Sequence, residues 1–167
     1  WPVARTMEPI ASQTLSSSST AVEFTSIPAT YTDLIAVVQA KRVSGTNDMM
    51  MRLGNASADT GSNYSTTYLY GTGSAAGNGR YTTPAYIFAG DASTTEFCTS
   101  IIHIMSYANT NVYKTALVAN VRPDASVYRI VGLWRSTSAI TNVKFEVWSG
   151  ASFTSGCTFA LYGIKAA

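Results

Sequence analysis

Charge is scarce in this sequence. Only 12% of its 167 residues are Asp, Glu, Lys or Arg, against roughly 25% in an average soluble domain. Four Lys and four Glu cannot clothe the solvent faces of a helical bundle, which relies on those residues for propensity and solubility. The eleven basic and nine acidic residues leave +2 and lie scattered from Arg5 to Lys165. They form no basic stripe, so no nucleic-acid partner is expected. Long hydrophobic runs are missing too: the longest, Leu34 to Val38, falls far short of the ~20 residues of a membrane-spanning helix. No membrane association is expected. Trp1-Pro2-Val3-Ala4-Arg5 lacks the apolar stretch and small-residue cleavage site of a secretory signal, so that route is not expected either.

Residues that carry chemistry are equally sparse. There are two cysteines, Cys98 and Cys157, and one histidine, His103. Two distant thiols make neither a disulfide framework nor a metal-ligand spacing, and read as small buried hydrophobes. A serine nucleophile needs a base, and His103 lies inside the apolar run Ile101 to Met105 with no Gly-x-Ser-x-Gly elbow anywhere. It reads as a core or interface histidine. Asp48 and Asp59 fall in carbonyl-rich segments but lack Asp-x-Asp spacing, so no metal site is assigned. Nothing selects a carboxylate pair for glycoside cleavage among the nine acids, which leaves a polysaccharide-degrading enzyme as the least supported reading. No phosphate cradle follows the Gly-x-Gly of residues 71 to 80, because neither Lys-Ser/Thr nor a helix comes next. No catalytic residue and no cofactor is expected.

What the chain does have is Ser and Thr at 42 of 167 positions, ten Tyr, and 46% apolar residues, enough for a substantial core of strands. Apolar and β-branched runs recur at short intervals, each closed by Gly, Asn, Asp, Ser or Pro: 21–24, 34–43, 49–53, 66–70, 85–89, 96–106, 113–121, 127–134, 141–148 and 157–164. These ten runs predict an all-β, two-sheet, jelly-roll-like sandwich over residues 21–167, preceded by a short N-terminal arm over 1–20. Ser-rich 11–20 reads as a flexible turn, and 54–63 and 71–80 as loops.

The period-two pattern also assigns faces. Val143, Phe145 and Val147 alternate with Asn142, Lys144 and Glu146, predicting one dry and one wet face. By contrast, 34–38 and 101–105 are apolar at both parities, so both faces of those strands need cover. A single sandwich covers one; long packed loops or another subunit would cover the other, and another subunit is the expectation, since monomers seldom leave large apolar patches bare. Candidate interface residues are Leu34, Ile35, Ile101, His103 and Met105, with Trp134 and Arg135 either an interface anchor or a cap on the core. Tyr64, Tyr68, Tyr70 and Tyr86 are candidates for stacking on a sugar, with ordinary strand packing as the alternative.

Four stretches, 24–40 (FTSIPATYTDLIAVVQA), 61–65 (GSNYS), 132–143 (GLWRSTSAITNV) and 158–165 (TFALYGIK), together resemble a module of virion structural proteins of tailed bacteriophages, notably those of marine and cyanobacterial hosts. The likeness spans nearly everything after Met7 and is weakest over 72–100. It implies a jelly-roll-like sandwich, commonly a homotrimer, located in the virion. Its use there would be as a capsid decoration or cement protein bound to the major capsid protein or other virion proteins. The alternative use is as the receptor- or carbohydrate-binding tip of a tail fibre or tailspike, with a host-surface glycan as ligand.

Overall fold

The computed structural model describes residues 6–46 and 48–165. Thirteen strands follow one another: β1 (Met7–Thr14), β2 (Ala21–Phe24), β3 (Asp33–Ala40), β4 (Asp48–Asn55), β5 (Ser57–Ala58), β6 (Tyr64–Thr72), β7 (Ala76–Tyr81), β8 (Ile87–Asp91), β9 (Cys98–Met105), β10 (Lys114–Arg122), β11 (Ser126–Trp134), β12 (Asn142–Val147) and β13 (Thr158–Ile164). One 3-10 turn, Trp148–Gly150, is the sole helical element among the described residues. No helix among the described residues is long and apolar enough to cross a membrane.

The strands form a two-sheet, jelly-roll-like β-sandwich. The larger sheet has eight strands in the order β1-β13-β3-β9-β10-β11-β6-β7. The smaller has five, β2-β12-β4-β5 with β8 also on β4. Every ladder is antiparallel, as expected for faces that alternate between core and solvent. Leu34, Ala36 and Val38 of β3, Ile102 and Ile104 of β9, Ala116 and Val118 of β10, and Phe159 and Leu161 of β13 point inward from the large sheet. They meet Val22, Met49, Met51, Leu53, Val143, Phe145 and Val147 from the small one. Phe159 touches both Phe145 and Phe153, at ring-centroid distances of 5.7 and 5.0 Å, so aromatic packing spans the two sheets.

All ten expected strand runs are present, and three segments differ from expectation. The N-terminal arm over 1–20 is in part the edge strand β1, paired with β13 from Met7↔Ile164 to Thr14↔Thr158. Its Ser, Gln and Thr residues carry no hydrophobic signal because this strand lies mostly in solvent. The chain then enters the core at Leu15, whose N–H donates to the Cys157 carbonyl at 2.9 Å. Arm residues 1–5 lie outside the described residues. Second, 71–80 is not simply a loop, because Ala76–Tyr81 is β7. Here the glycines make room: the rings of Tyr70 and Tyr68 occupy the space where side chains on Gly77 and Gly79 would stand. Third, 54–63 contains the short strand β5 within an otherwise turn-like segment.

Candidate functional site

The two sheets treat their outward faces oppositely. On the small sheet, Arg52, Lys144, Glu146 and Glu23 alternate with the core residues, and Glu146 pairs with both Arg52 and Lys144. Lys144 and Glu146 thus lie on the face predicted to be wet from 142–147, but Asn142, placed on it by the same alternation, is 1% exposed because its amide is drawn in to donate to Glu23 at 2.7 Å. The large sheet turns mostly aliphatic side chains outward, and none of the described residues covers them. Leu69 is 62% exposed, Ile101 50%, Leu117 43%, Val121 48%, Val127 54% and Val131 48%.

Register makes these residues neighbours. One row across the sheet reads Tyr162, Ile35, His103, Leu117, Val131, Thr67, Arg80. The next row reads Ala160, Val37, Ile101, Ala119, Arg129, Leu69, Asn78. Six side chains at these exposures present on the order of 500 Å² of surface, within the roughly 300–600 Å² of the largest patch on a typical monomer, a size that is often functional.

The face is also hollowed. A depression of about 530 Å³ is lined by Thr67, Leu69, Ile101, His103, Leu117, Ala119, Arg129 and Val131. A second, of about 400 Å³, continues over Gly71, Val121 and Val127. Ala119 and Gly71 are small residues among larger ones, and the relief follows from that.

The expected interface residues divide by parity. Ile35, Ile101, His103 and Met105 face outward as expected. Leu34 does not: it is 0% exposed and belongs to the core, because side chains alternate and Ile35 takes the outer position. At the rim of the face, His103 Nε2 donates to Asp33 Oδ2 at 2.8 Å, and the other carboxylate oxygen accepts the Ser106 N–H at 2.7 Å.

Trp134 is not an interface anchor. It is 3% exposed, stacks on Tyr64 with ring centroids 6.4 Å apart, and donates its indole N–H to Asp59 at 2.7 Å. It caps the core, the alternative its sequence allowed. Arg135 donates to the Tyr64 and Thr82 carbonyls, both at 2.7 Å, pinning the loop after β7 rather than reaching for a partner.

The tyrosines divide similarly. Tyr64 is fully buried; its hydroxyl donates to the Leu53 and Asp59 carbonyls at 2.9 Å and burial pushes it far above the usual phenol range. It cannot stack on a sugar. Tyr86, 7% exposed, packs on Trp148 and is likewise withdrawn. Tyr68 and Tyr70 are half-buried and lie among Tyr81, Phe88 and Tyr128, with centroids 5.3 to 6.4 Å apart. These rings spend most of their surface on one another.

Among the described residues no three His, Cys, Asp or Glu side chains gather into a metal-binding group. Asp48 faces Asp91 across the β4–β8 ladder, and burial, then the like charge of Asp91, raises the Asp48 carboxyl. Asp59 spends its oxygens on Gly61, Asn63 and Trp134. Both cysteines are free and buried.

The polar residue that sequence reading missed is Lys114, which is 0% exposed. Its ammonium donates to the carbonyls of Asn109, Val112 and Thr137 at 2.6, 2.8 and 3.1 Å. No local pattern distinguishes it from a solvated lysine at a strand start. Its role is to hold two loops at the end of the large sheet.

No family profile and no curated protein matches the chain. Among solved structures it is similar to toad ovary galectin complexed with thio-digalactose, at 8% identity over 86% of this chain and 98% of that one, TM-score 0.42. It is similar to the Congerin II Y16S mutant at 12% identity, covering 84% and 98%, TM-score 0.39. It is also similar to alginate lyase Aly36B at 11% identity, covering 92% and 77%, TM-score 0.35. Its own two antiparallel sheets make the chain an all-β sandwich, and these likenesses say nothing of its ligand or activity.

Proposed function

We propose that this chain is a non-enzymatic structural protein of a phage virion, a homotrimeric decoration or cement protein on the capsid surface. The observation that carries the reading is the outward face of the large sheet. A solvated sheet face ordinarily alternates polar residues with the core residues, as the small sheet does here; this one is aliphatic across β3, β9, β10, β11 and β6. Removing on the order of 500 Å² of apolar surface from water at about 25 cal/mol/Å² contributes about 12 kcal/mol gross. That is comparable to the roughly 4–15 kcal/mol cost of lost rigid-body freedom on association. Contact is therefore a sufficient mechanism, and several weak contacts around a trimer multiply through effective concentration.

In this reading the copies meet over the β13–β3–β9 half, through Ile35, Val37 and Met105. The hollowed β10–β11–β6 half faces the coat. The resemblance of stretches 24–40, 61–65, 132–143 and 158–165 to phage virion modules supports the setting.

The test is the mass of the full chain in solution by light scattering, followed by co-sedimentation with empty capsids of its phage. A trimer that pellets with capsids is the expected result; a chain that stays monomeric at tens of micromolar overturns the copy-to-copy contact. The alternative, a glycan-binding tail tip, keeps support from the half-exposed rings of Tyr68, Tyr70 and Tyr81 alone, and saturable binding on a glycan array abolished by Tyr81→Ala is what would favour it.

A further inference from the structure

The outward face of the large sheet is apolar, but its few charges are not balanced. Arg129 and Arg80 both point outward, one strand apart on either side of β6, and both are exposed. Neither forms an ion pair with any described residue. Among the described residues, the only carboxylate at an outward position of β3, β9, β10, β11, β6 or β7 is Asp33. Both of its oxygens are already taken, by His103 and the Ser106 N–H.

Arg129 has a particular place. It lines both hollows, together with Leu69 and Ala119, so these three residues mark their junction. Along β11 the outward residues run Val127, Arg129, Val131, which is apolar, cationic, apolar at every second residue, or about 7 Å apart. The hollows follow the same direction, from Ile101 and His103 at one end to Gly71 and Val127 at the other.

The same face of a second copy is a poor occupant. It would bring Arg129 and Arg80 against a surface whose one carboxylate is engaged, and a guanidinium buried without a partner is strongly unfavourable. What complements the trough is a carboxylate flanked by aliphatic groups on the strand period.

We propose that the β10–β11–β6 trough receives an extended segment of another protein, in the proposed setting a coat protein, one face of which reads apolar, acidic, apolar at alternate residues. The acidic side chain makes a two-pronged contact with the Arg129 guanidinium, which matches a carboxylate in plane. Its flanking aliphatic side chains fill the two hollows, Ile101, Leu117 and Val131 bounding one, Val121 and Val127 the other. Exposed aliphatics supply area and the lone guanidinium supplies register, since a slip of one residue turns the acid away. The inference rests on the proposed function only in taking this half of the sheet to be the one that meets other proteins.

The test uses the full chain and a blocked nine-residue peptide, Ser-Ser-Leu-Ser-Glu-Ser-Leu-Ser-Ser, followed by methyl chemical shifts. Shifts confined to Leu69, Ile101, Leu117, Val121, Val127 and Val131, and at least a tenfold weakening when the peptide Glu becomes Gln or Lys, are expected. Arg129→Glu should reverse the preference, binding the Lys peptide better than the Glu peptide. The site is overturned if the Glu and Gln peptides bind alike, if shifts map elsewhere, if no peptide binds at millimolar concentration, or if Arg129→Glu leaves the order unchanged. Light scattering on the same samples separates this from the proposed function. A trimer indifferent to the peptide removes only this occupant, while a monomer that binds it removes the copy-to-copy contact and keeps the trough.

Discussion

Asn120 on β10 occupies the space in which a side chain on Gly90 of β8 would have to stand. Gly90 has φ +101°, a conformation L-residues resist, and the two strands are joined there by a reciprocal pair. The Asp91 N–H donates to Asn120 Oδ1, and Asn120 Nδ2 donates to the Asp91 carbonyl, both at 3.1 Å. Asn120 also donates to Ser100 Oγ at 2.9 Å, so one buried amide ties β8 to both β9 and β10. The contact is what seats β8, a strand of the small sheet, against the large sheet's inner face.

Gly90→Ala should therefore destabilise the fold by about 3 kcal/mol or more, adding positive-φ strain to overlap with the amide. Asn120→Leu should cost about 2–4 kcal/mol by leaving the Asp91 amide and carbonyl unpaired in the core. Urea midpoints measure both, and an unchanged midpoint for Gly90→Ala would show that β8 shifts freely.

Lys114 is buried yet fully used, and desolvation lowers its ammonium. Lys114→Met keeps the aliphatic stem and removes the three donors, stranding the carbonyls of Asn109, Val112 and Thr137. A loss of about 2–4 kcal/mol is expected, with faster amide exchange confined to 107–113 and 135–140. Exchange that rises uniformly across the sandwich would contradict a loop-holding role.

Val131→Asp places a charge in the middle of the outward face of the large sheet, away from the core. The fold's thermal midpoint should change little, since exposed substitutions usually stay within about 0.5 kcal/mol, and the mass in solution should stay that of the trimer, while capsid binding falls by tenfold or more. Loss of fold together with capsid binding would mean that Val131 supports the core.

Acid should expose the Asp124 network. Its carboxyl accepts from Arg122, Ser93 and Thr95, and the Arg122 hydrogen bond above all draws it down to about 2. A carboxylate lowered in the folded state adds stability above about pH 4 and loses it as pH falls through about 2. Asp91 and Asp48, raised mainly by burial, carry the opposite sign, because ionising them opposes folding. Asp124→Asn should flatten the decline in urea midpoint between pH 4 and 2. An equal decline in the variant would assign it to other carboxylates.

Strand order in the chain was legible wherever β-branched and apolar residues alternate, because a pleated ribbon with one buried face imposes that period. The double-faced runs 34–38 and 101–105 likewise announced a sheet side whose outward positions are apolar. Strands β1 and β7 were not legible, and the reason is the same at both edges. An edge strand buries little, so β1 can be Ser, Gln and Thr. In β7, Gly77 and Gly79 contribute no side chains, and the rings that cover them come from Tyr70 and Tyr68 on the neighbouring strand.

Parity and partnership belong to the tertiary structure. The alternation of 34–38 is compatible with Leu34 or Ile35 facing the core, and only pairing with β9 and β13 turned Leu34 inward. A Trp beside an Arg suits an anchor or a cap until Asp59 and Tyr64 are placed around it. The sequence by itself determined that this chain pleats into two sheets with more apolar surface than one core can use. Where the excess lies, in a trough centred on an unpaired Arg129, was decided by strand register, which sets Thr67 beside Val131 and Leu69 beside Arg129, residues that the sequence keeps sixty or more positions apart.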